Sequence, residues 1–330
     1  MSAWLAPLGG AYAAGAALRR ALYGRGLLPR ARLRGPVISI GNLGVGGSGK
    51  TPVVARTAEL LREAGCAVSV LSRGYRGAFA GGALIVSDGA RVLADAAAAG
   101  DEPVMLAREL PGVVVAVGRR RARAGRAVEA AFGPRVHVLD DGFQHLPLRR
   151  DLDVLCLSER DLADRPLPAG RLRESPRAAR CADLVLISGT GPRTDALRRE
   201  LGAERCFDLR REAPGFATLH GSAAAAPARP FLLAGIARPE RFAEDASRLC
   251  PGWTGSWFFP DHHRYRAHEL EAVLARARAV GADGVLTTAK DAVRLPADGL
   301  DLPVTVLRTR AVIADEERFR ERLVEAARRP

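Results

Sequence analysis

Closely spaced cysteine pairs are absent from this sequence of 330 residues. Its five cysteines are odd in number and widely separated, and no two of them form a Cys-x-x-Cys motif. Zinc ribbons and disulfide frameworks depend on such pairs. The sequence therefore indicates reduced thiols, with neither a structural zinc site nor a disulfide scaffold.

Long hydrophobic runs are also missing. Residues 2–18 carry no charge, but the segment is short for a membrane-spanning helix and contains Pro7, Gly9 and Gly10. Arginines follow the segment instead of preceding it, which argues against a signal peptide. The segment predicts either a helix in the membrane interface, with its arginines against anionic headgroups, or a helix packed on the protein's own surface.

Lysine is scarce although the chain is basic. Only Lys50 and Lys290 are lysines among 50 basic residues, which against 37 acidic residues leave a net charge of +13. Such an excess favours an anionic partner: a phosphate-rich ligand, an anionic membrane face or nucleic acid. The hydrophobic share of 48% and the charged share of 26% are those of a globular protein, which excludes a disordered or collagen-like chain.

Short β-branched runs alternate with alanine- and arginine-rich stretches. The runs predict nine strands, at residues 37–40, 68–71, 113–117, 136–139, 154–157, 184–187, 231–234, 285–288 and 304–307. The stretches between them predict helices, among them 51–64, 119–131, 239–249, 268–280 and 316–327. This alternation predicts an α/β fold whose largely parallel sheet is buried on both faces.

The chain length, at about 150 residues per domain, predicts about two α/β units. Residues 1–34 are assigned to the N-terminal membrane-interface helix region and residues 35–147 to a phosphate-loop domain. Residues 148–309 are assigned to a second, smaller α/β domain. A C-terminal helix within residues 310–330 is expected to return to the phosphate-loop domain.

Residues 44–51 match the phosphate-loop pattern Gly-x-x-x-x-Gly-Lys-Ser/Thr, between a predicted strand and a predicted helix. Glycines let backbone N–H groups converge on phosphates at a helix N-terminus. The lysine reaches the β- and γ-phosphates, and the threonine hydroxyl is offered to Mg²⁺. The predicted ATP-binding residues are Gly44, Val45, Gly46, Gly47, Ser48, Gly49, Lys50 and Thr51.

A second signal is a pair of carboxylates at the end of the predicted strand 136–139. Asp140 and Asp141 follow that strand, as in a Walker B segment. A carboxylate at this place can hold Mg²⁺ beside the phosphate loop. We assign Asp140, with Thr51, to the metal and Asp141 to catalysis, although the sequence does not decide which of the two aspartates contacts the metal.

Three classes of function are compatible with the loop: a kinase, an ATPase or GTPase switch, and a nucleic-acid-binding NTPase. A GTPase needs an Asn-Lys-x-Asp motif, whereas the nearest string here is Thr-Ala-Lys-Asp at residues 288–291. Partitioning and metal-export ATPases carry an additional lysine where this chain has Val45. No nucleic-acid-binding module is recognisable, so no nucleic-acid partner is expected.

Further strings follow in a fixed order. SIGNL at residues 39–43 runs into the phosphate loop, and the later strings are SRGY (72–75), GDEP (100–103), LDDGFQH (139–145), GRLRE (170–174), FFPDHH (258–263) and TAKDA (288–292). In these motifs and their order the chain resembles the tetraacyldisaccharide 4′-kinases of lipid A biosynthesis, over nearly its whole length.

The resemblance implies transfer of the γ-phosphoryl group of ATP, with Mg²⁺, to the 4′-hydroxyl of tetraacyldisaccharide 1-phosphate, which gives lipid IVA. It also implies a peripheral protein on the cytoplasmic face of the inner membrane of a Gram-negative bacterium. Two α/β/α units joined by a two-stranded hinge, with the site in the cleft between them, are expected. The oligomeric state is left open.

Phosphoryl transfer to a sugar hydroxyl needs a base and cations around the phosphates. Asp101, in a short loop after an alanine-rich helix, is the candidate base, and His262 is expected to hydrogen-bond it from the second domain. Asp261 is expected to position His262. Lys290 and its neighbour Asp291 are compatible with an ion pair at a strand end.

Arginines and one amide complete the predicted site. Arg121, Arg173 and Gln144 are candidates for substrate binding, because guanidinium groups suit both the acceptor's 1-phosphate and the γ-phosphate. Which member of the triplet 119–121 points inward is left open. A membrane-resident acceptor also gives the N-terminal segment a role, with four apolar side chains expected to embed: Trp4, Leu5, Tyr12 and Leu18.

Overall fold

A computed structural model describes residues 3–45, 49–296 and 299–328 of the chain. Its strands are β1 Val37–Asn42, β2 Val68–Ser72, β3 Leu84–Ser87, β4 Val114–Val117, β5 Val136–Asp140, β6 Leu152–Ser158, β7 Leu184–Ser188, β8 Cys206–Thr218, β9 Ala223–Ala224, β10 Pro230–Ala234, β11 Gly255–Phe258, β12 Gly284–Thr288 and β13 Val304–Ile313. Its helices are α1 Ala6–Gly24, α2 Lys50–Glu63, α3 Ala96–Ala99, α4 Asp101–Glu109, α5 Arg121–Phe132, α6 Glu159–Ala163, α7 Pro192–Leu201, α8 Pro239–Leu249, α9 Ala267–Ala279, α10 Ala289–Ala292 and α11 Glu316–Ala327.

The strands form one continuous sheet in the order β11-β10-β12-β13-β8-β7-β6-β1-β5-β2-β4-β3, with β9 beside β8. Pairing is parallel except where β8 meets β13, β8 meets β9 and β3 meets β4. The predicted α/β class is confirmed, and the sheet is mixed. The long strand β8 joins its two parts: Cys206–Asp208 pair with β7, and residues 209–218 pair with β13.

All nine predicted strands are present, and so are the five helices assigned by residue number. The sequence pattern did not reveal β3, β8, β9 or β11. The middle of β8 is largely exposed and polar, so no apolar run marks it. Asp101 was wrongly expected in a loop: it is the first residue of α4, directly after Gly100 at the left-handed φ of 90°.

The predicted boundary at residues 147 and 148 falls inside the sheet that carries the phosphate loop. β1 pairs with β6, and β6 pairs with β7, so residues 152–188 are continuous with the phosphate-loop strands. The C-terminal helix α11 packs against α2 and β1, and Glu316 at its start forms an ion pair with Arg56 of α2 at 2.7 Å. The domain division itself stays a prediction.

The buried strands bring the functional groups to one edge of the sheet. Every residue of β1, β2 and β5 is buried, as expected for parallel strands covered on both faces. β2 and β1 lie on either side of β5, and the three strands end at Ser72, Asn42 and Asp140. Ligands of open α/β sheets bind at this carboxyl edge.

Helix α1 lies against the loop region beside this edge. The Arg20 guanidinium donates to both carboxylate oxygens of Glu174 at 2.7 and 2.8 Å and lies 4.2 Å from the centre of the Phe143 ring. Four side chains of the N-terminal segment are exposed: Trp4, Leu8, Tyr12 and Leu18. Among the residues that the structure covers, no helix is long and apolar enough to cross a membrane.

The segment after β5 packs tightly against β1 at Gly41. A methyl group at position 41 would lie 2.4 Å from Cβ and 2.8 Å from the backbone nitrogen of Phe143. Phe143 is fully buried, so neither group can move aside without disturbing the core. The absence of a side chain at Gly41 therefore sets how closely residues 141–143 approach the phosphate-loop strand.

We predict that Gly41→Ala destabilises the protein by about 1–3 kcal/mol, the usual effect of overpacking a core. Gly10→Ala, in the helix α1, is the matched control, because a methyl group there would meet no atom of the described residues within 4 Å. Chemical denaturation of both variants measures the difference. Equal unfolding midpoints for the two variants would contradict the tight approach at Gly41.

Candidate active site

The described residues at the two ends of the phosphate loop are positioned by β1, by α2 and by hydrogen bonds to Arg171. β1 ends at Asn42, and α2 begins at Lys50 directly after Gly49, whose φ is 74°. The Val45 N–H donates to the Arg171 carbonyl at 2.8 Å, and the Arg171 guanidinium donates to the Val45 carbonyl at 2.9 Å. Three residues predicted to bind phosphate lie outside the described residues: Gly46, Gly47 and Ser48.

Among the described residues, Lys50 has two oxygen partners. Its Nζ donates to Asn42 Oδ1 at 2.6 Å and lies 3.1 Å from Asp141 Oδ1. The side chain is only 12% exposed, so the ammonium group is fixed at the base of the loop. Thr51 follows in the first turn of α2 and is partly buried.

Asp141 and Arg173 form a two-pronged ion pair, with distances of 2.8 and 2.9 Å between guanidinium and carboxylate atoms. The same guanidinium donates to Asn42 Oδ1 at 2.9 Å and to the Gly44 carbonyl at 3.0 Å. Burial would raise the pKa of Asp141, but the hydrogen bonds from Arg173 and the charge of Lys50 outweigh burial and lower that pKa. Asp141 is therefore ionised and holds two cations at the start of the loop.

Asp140 has the opposite environment. It is buried at the end of β5, where the Ser72 hydroxyl donates to it at 3.0 Å. Burial and the nearby negative charge of Glu102 raise its pKa to about 6. In the described part of the chain, no side-chain cation pairs with this carboxylate within 4 Å, and its predicted role as a metal ligand stays a prediction.

The predicted pair of Asp101 and His262 is formed. Asp101 Oδ2 lies 2.8 Å from His262 Nδ1, which joins the N-terminus of α4 to the loop after β11. Burial opposes ionisation of Asp101, but the hydrogen bond from His262 and the charge of Arg294 lower its pKa. Asp261 Oδ2 lies 3.7 Å from His262 Nε2, so it is near the imidazole without hydrogen-bonding it.

His262 adopts a backbone conformation that side chains usually avoid. Its φ is 63°, and its backbone N–H donates to the Gly235 carbonyl at 2.9 Å. Asp141, on the other side of the site, has a φ of 53°. Left-handed non-glycine residues require support from their surroundings and cluster at functional sites. Both residues have such support. His262 is held by its backbone hydrogen bond to Gly235, and Asp141 is held by its ion pairs with Lys50 and Arg173.

Arg121 is the inward member of the triplet 119–121, since the other two arginines are exposed. Its Nη2 donates to the Asp140 carbonyl at 3.4 Å, and its Nη1 donates to the Arg119 carbonyl at 3.5 Å. The side chain is thus buried behind the end of β5. Its predicted contact with substrate stays a prediction.

Gln144 also has partners within the protein. Its side-chain amide donates to the Asn42 carbonyl at 3.0 Å, and its backbone carbonyl accepts a hydrogen bond from Arg19 of α1 at 3.3 Å. Gln144 Oε1 is buried and has no partner among the described residues. Gln144 therefore connects the helix α1 to the strand that leads into the phosphate loop, and its role in substrate binding stays a prediction.

Sequence reasoning missed Asn42 and misjudged Lys290. Asn42 Oδ1 accepts hydrogen bonds from both Lys50 and Arg173, and the available signal was its position two residues before the phosphate loop. Lys290 does not pair with Asp291: Lys290 Nζ lies 3.2 Å from Glu102 Oε1, and Asp291 pairs with Arg294 at 2.6 Å.

Comparison with known proteins decides the family. The family model "LpxK: Tetraacyldisaccharide-1-P 4'-kinase" matches residues 1–328. The chain belongs to this family. The predictions of the family and of 4′-kinase activity in lipid A biosynthesis are thereby confirmed, and the switch and nucleic-acid alternatives lose their support.

Relatives and a solved structure agree with this membership. The tetraacyldisaccharide 4′-kinase of Anaeromyxobacter dehalogenans strain 2CP-C is 46% identical over 308 residues, which cover 86% of this chain and 79% of that protein. The Geobacter metallireducens protein of the same name is 41% identical over 304 residues, covering 89% and 88%. The crystal structure of LpxK from Aquifex aeolicus in complex with ATP has a TM-score of 0.82, at 31% identity over 98% of each chain.

We predict that Arg173→Met weakens ATP binding by about tenfold or more. The substitution removes the hydrogen bonds that hold Gly44 and Asp141, and it leaves Asp141 to compete with phosphate for Lys50. One charge-assisted hydrogen bond of ~1.5 kcal/mol corresponds to that factor. Calorimetric titration with ATP measures the affinity, and Arg165→Met, at an exposed arginine, is the control. An unchanged affinity in Arg173→Met would show that the contacts of Arg173 with Gly44 and Asp141 do not prepare the loop for ATP.

Proposed function

We propose that this 4′-kinase uses Asp101 as the base for phosphoryl transfer from ATP to tetraacyldisaccharide 1-phosphate. The observation that carries the proposal is the hydrogen bond between Asp101, in the first turn of α4, and His262, in the loop after β11. A carboxylate whose pKa is lowered stays ionised at neutral pH and can accept a proton from a sugar hydroxyl.

The proposed transfer forms one bond to the γ-phosphorus and breaks another. The 4′-oxygen of the acceptor forms a bond to the γ-phosphorus while the bond from that phosphorus to the β,γ-bridging oxygen breaks, and ADP leaves. Asp101 takes the hydroxyl proton. Lys50, released from Asp141 by the incoming phosphates, stabilises the charge on the β- and γ-phosphates, as phosphate-loop lysines do.

Asp140 and Thr51 fit a magnesium ion bound together with ATP. Magnesium uses one or two protein carboxylates plus substrate phosphates, so it does not need a cluster of protein ligands. The described residues contain no group of three or more His, Cys, Asp or Glu side chains that could hold a metal. When bound, Mg²⁺ neutralises part of the phosphate charge. The raised pKa of Asp140 indicates a carboxylate that a cation would stabilise.

We also infer that the protein works on the cytoplasmic face of the inner membrane, bound peripherally through α1. A tetraacylated acceptor stays in the bilayer, so the site must approach the lipid surface. Trp4, Leu8, Tyr12 and Leu18 are exposed apolar side chains of one N-terminal segment, whereas Leu5 is partly buried. Arg20 holds this segment near the site through Glu174.

The kinase assay uses γ-labelled ATP, Mg²⁺ and detergent-dispersed tetraacyldisaccharide 1-phosphate. We expect label on the lipid with the wild-type protein and none with Lys50→Ala. Asp101→Asn should lower kcat by about 10²–10⁴-fold, the usual contribution of a general base, and change ATP affinity less than about twofold. Full activity of Asp101→Asn would remove Asp101 as the base, whereas phosphate release without labelled lipid would contradict the acceptor.

For the membrane role, we predict that Trp4→Ser/Leu18→Ser reduces binding to anionic phosphatidylglycerol vesicles at least about tenfold. Each apolar side chain contributes about 1.5 kcal/mol or more when it leaves water. Val92→Ser/Leu93→Ser is the control, because these side chains are also exposed, at 42% and 52%, but lie far from α1 in the sequence. Vesicle flotation measures the binding, and equal flotation of the two double variants would exclude α1 as the membrane contact.

A further inference from the structure

A cavity lies where the last turn of α4 meets the antiparallel pair of β8 and β13. Its volume is about 220 Å³, and its lining comes from α4, the end of β8, α10 and β13. None of the residues assigned above to ATP, to Mg²⁺ or to the acceptor lines it. The cavity is therefore a space that the kinase reaction does not use.

Much of the lining is apolar. Met105 of α4, Ala217 of β8, Ala292 of α10 and Val306 of β13 line the cavity, and all four are buried. An apolar cavity of about 150 Å³ is large enough to bind benzene in another protein. The present cavity therefore has room for a short alkyl chain.

One polar atom of the lining lacks a partner. Thr218 lines the cavity, and its hydroxyl oxygen is buried without a hydrogen bond to any described residue. Buried polar groups are usually paired with protein, water or ligand atoms, because an unpaired group loses the hydrogen bonds that it makes in water. The Thr218 hydroxyl is thus available to a polar atom of an occupant.

The cavity adjoins a charged groove at Glu109 and Arg308, which line both spaces. The groove has a volume of about 500 Å³ and lies between α2 and the pair of β8 and β13. Its charged lining consists of four arginines and three glutamates, namely Arg56, Arg62, Arg308, Arg310, Glu59, Glu63 and Glu109. The lining therefore has an excess of one positive charge.

The positive charge of the groove is concentrated on three arginines. Arg56 pairs with Glu59 and Glu63 of its own helix, at 3.0 and 3.2 Å. Among the described residues, no carboxylate oxygen lies within 4 Å of the guanidinium nitrogens of the other three, which are Arg62, Arg308 and Arg310. These guanidinium groups are free to pair with an anion.

The third glutamate, Glu109, opposes an anion only weakly. Burial raises the pKa of Glu109 to about 7, although the positive charge of Arg308 opposes the rise. Its carboxyl group is therefore partly protonated near neutral pH, which reduces its repulsion of a second carboxylate.

We propose that the cavity and the groove together bind a small amphiphilic carboxylate, with its alkyl chain in the cavity and its carboxylate at Arg308. Guanidinium groups pair with carboxylates through two parallel hydrogen bonds. One excess positive charge suits a monoanion better than a phosphate monoester, whose charge is about −1.5 to −2 at pH 7. The occupant contacts α4, whose first residue is Asp101, and the strands that join the two parts of the sheet.

Met105 provides a probe inside the cavity. The chain has two methionines, Met1 and Met105, so protein labelled with ¹³C in the methionine methyl groups gives two signals at most, and Met105→Leu assigns them. We expect hexanoate to shift the Met105 signal saturably. Its affinity should exceed that of butanoate by about fourfold for each of the two added methylene groups, the usual effect of burying a CH₂ group.

The carboxylate is tested with a neutral ligand and with a variant. Hexanol has the chain without the charge and should bind at least about tenfold more weakly than hexanoate, because a charge-assisted hydrogen bond is lost. Arg308→Gln should weaken hexanoate binding by a similar factor and leave hexanol binding unchanged. The control is Arg276→Gln, which removes an exposed arginine of α9 that lines neither space and should bind hexanoate like the wild type.

The alkyl-chain site is tested by filling it. Ala217→Leu should abolish the effect of hexanoate on the Met105 signal, because the larger side chain occupies the cavity. The proposal is overturned if hexanoate does not shift the Met105 signal saturably in the wild type, if hexanol binds as tightly as hexanoate, or if Arg308→Gln or Ala217→Leu keeps the wild-type affinity. Since every readout is binding, none of these results depends on whether Asp101 is the base.

Discussion

The hydrogen bond between Asp101 and His262 is the constraint on which the site depends. Asp101 belongs to the part of the sheet that carries the phosphate loop, and His262 belongs to the part built on β10 to β13. These two parts share the strand β8, whose two halves pair with different neighbours. A hydrogen bond to a charged group contributes about 1.5–3 kcal/mol, so this contact alone can bias how the two parts meet. Under the proposed role of Asp101, catalysis is therefore coupled to the packing of the two parts.

The neighbouring residues Asp140 and Asp141 have pKa values shifted in opposite directions because their surroundings differ. Asp140 points into the buried edge of the sheet with a hydroxyl as its partner, and its pKa is raised. Asp141 turns away through a left-handed backbone conformation and meets Arg173 and Lys50, so its pKa is lowered. One carboxylate has a hydroxyl as its partner and the other holds two cations, a separation that follows from burial and charge.

The sequence was sufficient for the parts of the fold that are locally encoded. Apolar β-branched runs identified the buried strands, and the phosphate-loop string identified the start of α2. It was insufficient for β8, because a strand that joins two parts of a sheet and faces solvent carries no apolar run. It was also insufficient for α4, whose nine residues follow four alanines and a left-handed Gly100 that conceal where one helix ends and the next begins.

Within the site, the pair of Asp101 and His262 could be predicted only through the family's motifs, since 161 residues separate them. The partner of Lys290 could not be predicted at all. Its sequence neighbour Asp291 was the obvious candidate, but Asp291 is fully buried and occupied by Tyr265 and Arg294. An ammonium excluded from that carboxylate must find partners elsewhere, and it finds them on His262 and α4. The closed packing around Asp291 thus directs Lys290 into the site.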